Sequence, residues 1–119
     1  KADSPTEIVL VAEADDNSIC GYAWLRWEKP DSHCSTFGIC INRSFQGHGL
    51  GRVFMTSLFE IARRIAPRTV QLTVQKANTK GLKLYRSMGF KVVKEQIRPA
   101  GFQPGLKAEP EYLMEMHLK

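Results

Sequence analysis

The chain has 119 residues, of which 43% are hydrophobic and 24% charged: enough for one domain with one core, and too apolar for a disordered or fibrous chain. Its 17 Lys and Arg against 12 Asp and Glu give a formal net charge of +5, which favours an anionic partner (nucleic acid, an anionic membrane or a phosphorylated cofactor) beside plain solubility. No apolar run is long enough to span a bilayer, and Cys20, Cys34 and Cys40, without a C-x-x-C spacing, exclude a disulfide framework and a zinc knuckle.

The first residues, KADSPTEIVLVAEADDNS, turn acidic where a signal peptide would be apolar. A cytoplasmic protein with buried, reduced thiols is expected. The chain starts without Met and reads as a trimmed form or a fragment of something longer.

Residues 7–14, EIVLVAEA, form a β-rich run, and Asp15-Asp16-Asn17-Ser18 is turn chemistry. Residues 19–28, ICGYAWLRWE, follow as a second strand, so the two predict a hairpin. Lys29-Pro30-Asp31-Ser32 breaks the chain. Residues 34–42, CSTFGICIN, predict a third strand in which Gly38 marks a bulge or a close backbone approach. His33 beside Cys34 is no nucleophile pair, because neighbours on a strand point to opposite faces. After Gly47 the period changes: Leu50, Val53, Phe54, Leu58, Ile61 and Ile65 recur at helical spacing. Arg63 and Arg64 suit the helix C-terminus, and Pro67 stops it. Residues 69–75, TVQLTVQ, alternate at period two. Asn78 can cap a second helix over 79–88, with Leu82, Tyr85 and Met88 on one face and Gly89 as its left-handed stop. Residues 90–97 predict a strand. A loop with Pro99, Gly101, Pro104, Gly105 and Pro110 follows, and 111–118 close the sheet. The order β-β-β-α-β-α-β-β predicts an α/β (α+β) fold, a mixed sheet with helices, in a single domain over 1–119.

The stretch Gln46-Gly-His-Gly-Leu-Gly-Arg52 spends three glycines where a helix begins, although glycine is a poor helix former. A helix N-terminus offers unpaired N–H groups and partial positive charge to a phosphate. Glycines at 47, 49 and 51 remove side chains from its path and permit unusual φ, while Arg43 and Arg52 add charge. A P-loop is excluded, because Gly51 is followed by Arg-Val rather than Lys and a hydroxyl residue. A dinucleotide fingerprint fails on spacing and on the missing acid at the end of 69–75. What fits is Q/R-x-x-G-x-G/A, filled by Gln46, Gly49 and Gly51.

That block resembles the acetyl-CoA pyrophosphate loop of the GNAT N-acetyltransferase superfamily. A second block strengthens the likeness: Asn78-Thr-Lys-Gly-Leu-Lys-Leu-Tyr85-Arg-Ser-Met-Gly89-Phe90 resembles the family's N-x-x-A-x-x-x-Y-x-x-x-G-F, with Gly81 where Ala is usual. The resemblance covers roughly residues 7–118. It implies a mixed, mostly antiparallel sheet splayed at a bulge with two flanking helices, acetyl-CoA as cosubstrate, and no metal. It implies that the backbone of Ile39, Cys40 and Ile41 bonds the pantetheine arm, one N–H stabilising the oxyanion. Backbone atoms of Gln46, Gly47, His48, Gly49, Leu50, Gly51 and Arg52 would hold the pyrophosphate. Asn78 would contact the cofactor arm, and Tyr85 would act as general acid toward the departing thiolate. Lys80, Lys83 and Arg86 could reach the 3′-phosphate. The chain departs from the family in two ways. Its cofactor strand carries no acid, so the general base falls to Glu28, Asp31 or His33 just upstream, with Glu28 the choice. It also begins at what looks like the family's second strand, so the opening strand and two helices that wall the acceptor site are missing.

The implied activity is acetyl transfer to a primary amine by direct attack, the acceptor being a small molecule or a protein. The alternative is a non-catalytic acyl-CoA-binding module. Basic residues are scattered rather than striped, which argues against nucleic acid except as an RNA-linked acceptor. The β-rich C-terminal end leaves room for a homodimer.

Overall fold

The computed structural model describes residues 6–98 and 109–118. These contain six strands and two α-helices, in the order β1 (Glu7–Glu13), β2 (Ile19–Arg26), β3 (Cys34–Ile41), α1 (Leu50–Ile65), β4 (Thr69–Gln75), α2 (Thr79–Ser87), β5 (Lys91–Arg98) and β6 (Glu109–His117), with a 3-10 turn, Arg43–Phe45, between β3 and α1. The chain divides into two compact units, residues 1–70 with 117–119 and residues 71–116.

In the first unit β1, β2 and β3 form an antiparallel meander. The β1–β2 turn closes on Asn17, which takes the left-handed conformation (φ 70°) that Asn tolerates better than most residues. The N–H of Asn17 donates to Ala14 O at 2.9 Å and that of Ala14 to Ser18 O at 2.8 Å. Alternation then sends Ile8, Ala23, Leu25 and Phe37 to one face, all buried. Helix α1 packs on that face, with Phe37 and Phe59 edge to face at 5.7 Å.

The buried stripe of α1 differs from the expected one. It runs through Gly51, Phe54, Met55, Leu58, Phe59 and Ala62, whereas Val53, Ile61 and Ile65 are 59%, 43% and 46% exposed. Two apolar stripes share Phe54 and Leu58. The one completed by Met55 and Phe59 buries more surface against the sheet, and it wins.

Gly38 makes no bulge in the β2–β3 ladder. The β2–β3 register runs unbroken from Gly21↔Ile41 to Arg26↔Thr36, while the register shifts lie at Ala12/Glu13 in β1 and Val92/Lys94 in β5. Gly38 is a close approach instead: the Trp24 indole lies across it, and a Cβ there would fall 2.0 Å from the ring. Gly21 is tighter still, because a Cβ would stand 2.5 Å from the backbone oxygen of Cys40 and 3.0 Å from Ile41 Cα. The Gly21→Ala variant is therefore expected to lose about 2 kcal/mol of stability through forced separation of β2 from β3, read from the midpoint of urea unfolding.

In the second unit the strand order is β4-β6-β5, with β5 and β6 antiparallel. Pro110, expected in the preceding loop, belongs to β6. It is the second residue of that strand, and its carbonyl accepts from Lys76 N at 3.1 Å. The other Pro and Gly residues expected in that loop, 99–105, lie outside the described residues. Of the cysteines, Cys20 is buried, Cys34 half-buried and Cys40 exposed. Cys40 departs from the expected burial because it shares the sheet face turned away from α1 with its cross-strand partner Tyr22.

Candidate functional site

β3 ends at Ile41, and the next eight residues deliver the chain into α1. N–H and C=O groups of successive strand residues point to alternate sides. The Asn42 N–H donates to Cys20 O at 2.8 Å, so the backbone of Cys40 also faces β2, and that of Ile39 and Ile41 faces away from it. Of the three residues expected to bond an acyl arm, only Ile39 and Ile41 turn their backbone groups to the edge of β3 away from β2. One of these is taken: Gln46 Nε2 donates to Ile41 O at 3.0 Å. Gln46 thus ties the turn back to the strand with its side chain, a role that no local sequence signal announces.

Gly47 and Gly49 both hold positive φ, 82° and 77°, and a Cβ at either would meet nothing within 4 Å. These glycines are required by backbone conformation, and they border open space. Gly49 is the N-cap of α1, no side chain caps this terminus, and its first turn holds no acid. At the N-terminus of this 16-residue helix the backbone amides and the helix dipole favour an anion. Gly51 is different: it lies inside α1 and is buried, so it serves the packing of the helix on the sheet. Arg43, His48 and Arg52 are exposed around the turn. Backbone donors, basic neighbours and open space beside Gly47 and Gly49 make the turn suited to an anion.

In the second unit Asn78 caps α2, its Oδ1 accepting from Gly81 N at 2.9 Å. A Cβ at 81 would come within 2.6 Å of the Asn78 side chain, so glycine there lets the cap fold tightly over the helix. Tyr85 is half-buried on α2, with its ring edge to face against Phe90 at 6.0 Å. Burial pushes its phenol above the ordinary tyrosine value. Gly89 ends the helix as expected, with φ 105° and the Phe90 N–H donating to Tyr85 O at 3.0 Å. Lys80, Lys83 and Arg86 are exposed.

Glu28 lies exposed in the bend after β2, at the opposite end of the β2–β3 ladder from the glycine turn. Arg26, two residues before Glu28, pairs with Thr36, which at about 3.3 Å per residue lies about 10 Å along β3 from Ile39. The structure therefore gathers Ile39, Ile41 and residues 46–52 in the first unit, holds Asn78 and Tyr85 on one helix of the second, and leaves Glu28 apart from the strand end. Among the described residues no group of His, Cys, Asp and Glu could hold a metal ion, and no helix is long and apolar enough to cross a membrane.

A strand that runs through a glycine turn into a helix N-terminus with basic neighbours is an arrangement that suits an anion. The chain belongs to the acetyltransferase (GNAT) family, whose model matches residues 1–90. It is 30% identical over 89 residues to a mycothiol acetyltransferase of Brachybacterium faecium, covering 72% of this chain and 27% of that protein; it spans about a quarter of that curated relative. A GNAT-family acetyltransferase from Streptococcus pneumoniae superposes with a TM-score of 0.84 at 28% identity, over 98% of this chain and 70% of that one. The Salmonella typhimurium protein yncA, solved with its cofactor acetyl-CoA, superposes with a TM-score of 0.78 at 25% identity, over 93% of this chain and 64% of that one. The mixed, mostly antiparallel fold is that of the family.

Proposed function

We propose that the chain is a single acyl-CoA-binding domain that transfers acetyl from acetyl-CoA to a primary amine by direct attack. The observation that carries this reading is the uncapped N-terminus of α1 behind two positive-φ glycines. Family membership and the acetyl-CoA held by yncA support it.

The backbone amides at 47–52 bind the diphosphate, and the backbone of Ile39 with the N–H of Ile41, on the edge of β3 away from β2, bonds the amide-bearing arm. An outward N–H of this strand stabilises the carbonyl oxygen as it gains charge. The amine nitrogen forms the new bond to the acyl carbon, the carbon–sulfur bond breaks, and the sulfur leaves with the electron pair. Tyr85 donates a hydrogen bond to that sulfur, which leaves as the thiolate. The proton released by the amine passes to water, with Glu28 acting only through intervening solvent.

Two measurements test the reading. Isothermal titration is expected to show CoA binding to the folded chain, and its absence removes the proposal. An amine panel read by free CoA thiol is then expected to show turnover with at least one primary amine. Binding without turnover on any amine favours a non-catalytic acyl-CoA-binding module.

A further inference from the structure

Asn42 lies just outside the glycine block, yet more of the turn depends on it than on any residue within. Its N–H donates to Cys20 O at 2.8 Å, and its Nδ2 donates to Ile19 O, at the start of β2. Its carbonyl accepts from Phe45 N at 2.8 Å, which closes the 3-10 turn, and Gln46 Nε2 then returns to Ile41 O at 3.0 Å. The chain from Ile41 to Gln46 is thereby closed into a ring, and Asn42 anchors that ring to the neighbouring strand.

Downstream the turn runs through glycine. Gly47 and Gly49 are the most pliable positions available, a Cβ at either would touch nothing within 4 Å, and the N-cap residue of α1, Gly49, has no side chain to cap with. A flexible turn must be ordered either before its ligand arrives or at the expense of affinity. We infer that Asn42 is a positioning residue for the diphosphate cradle: its side-chain amide holds the turn in the binding geometry before the ligand arrives. The inference rests on the acyl-CoA reading for its ligand, but the anchor itself is open to a separate test.

Asn42→Ala keeps the backbone bonds and removes only the Nδ2 donor, and residue 42 is exposed, so the variant should fold. Its affinity for CoA, measured by titration, is expected to fall about tenfold. The KM for acetyl-CoA should rise in parallel, with kcat kept within about twofold because the reacting groups are untouched. Amide hydrogen exchange at Phe45 and Gln46 should accelerate. Because both side chains serve one ring, the Asn42→Ala/Gln46→Ala double variant should bind little worse than the weaker single variant. Unchanged affinity in Asn42→Ala, a fall in kcat alone, or single effects that multiply in the double variant would each overturn the inference. If the parent chain binds no CoA, the proposed function fails on its own. The exchange rates at Phe45 and Gln46 then decide the anchor, and unchanged rates overturn it.

Discussion

The Gly49→Glu variant is expected to bind acetyl-CoA at least about 100-fold more weakly, a loss of about 2.7 kcal/mol, while remaining folded. Position 49 is the N-cap of α1 at φ 77°. A side chain there strains the backbone by about 1–2 kcal/mol. A carboxylate beside the helix N-terminus returns about 0.3–1 kcal/mol through the dipole, so the net change in stability is small. Binding suffers far more. The new carboxylate can accept from the amides meant for the diphosphate, and its charge repels that anion by several kcal/mol at close range in a partly screened setting. Gly49→Ala, which adds strain without charge, should lose markedly less affinity. Titration of CoA into the three proteins, with circular dichroism to verify folding, measures the effect; equal affinity in parent and Gly49→Glu places the diphosphate elsewhere. Gly51 is a poorer probe, since its burial would mix packing damage with loss of binding.

The Tyr85→Phe variant is expected to lose about 100-fold in kcat, at the low end of what a positioned general acid contributes, with CoA affinity unchanged. Phe keeps the ring that packs against Phe90, so the helix end stays intact. A non-catalytic module would show no change, because it has no turnover to lose; the one substitution thus separates the two readings. The pH dependence follows from burial, which raises the phenol above its ordinary value near 10. Tyr85 therefore stays protonated across the neutral range, and loss of activity attributable to it begins only above the ordinary tyrosine range. Full transfer from so weak an acid to a thiolate is uphill, so the phenol acts chiefly by donating a hydrogen bond to sulfur as charge develops. For stability, the folded state holds this proton more tightly than the unfolded chain does. Its contribution is fully present below the unfolded value near pH 10 and is lost as pH rises through the folded value. An alkaline unfolding series comparing parent with Tyr85→Phe should show this dependence in the parent alone.

Much of the local structure was written in short stretches of sequence. Asn17 in the first turn, Asn78 at the start of α2 and Gly89 at its end each do what their own chemistry favours: tolerate positive φ, cap an amide, or accept a left-handed stop. The same holds for Gly47 and Gly49, whose positive φ was legible as a glycine requirement before any contact was known. Strand and helix periods set the element order, because they record which side chains can share a face.

Other features needed partners distant in sequence. Which stripe of α1 is buried was decided by the sheet beneath it, since two stripes of similar apolarity were open to the helix. Gly38 proved to be the seat of the Trp24 ring, Gly21 the closest approach of β2 to the β3 backbone, and Cys40 an outward-facing residue. The roles of Gln46 and Asn42 lie in bonds to Ile41 and Ile19, and for Asn42 the only sequence hint was an Asn at the end of a strand. Sequence alone determined the conformations that single residues prefer and the order in which the chain adopts them, because those energies are local. Tertiary structure decided which groups remained for a ligand, because a donor or a face is available only once every other part of the chain has taken its place.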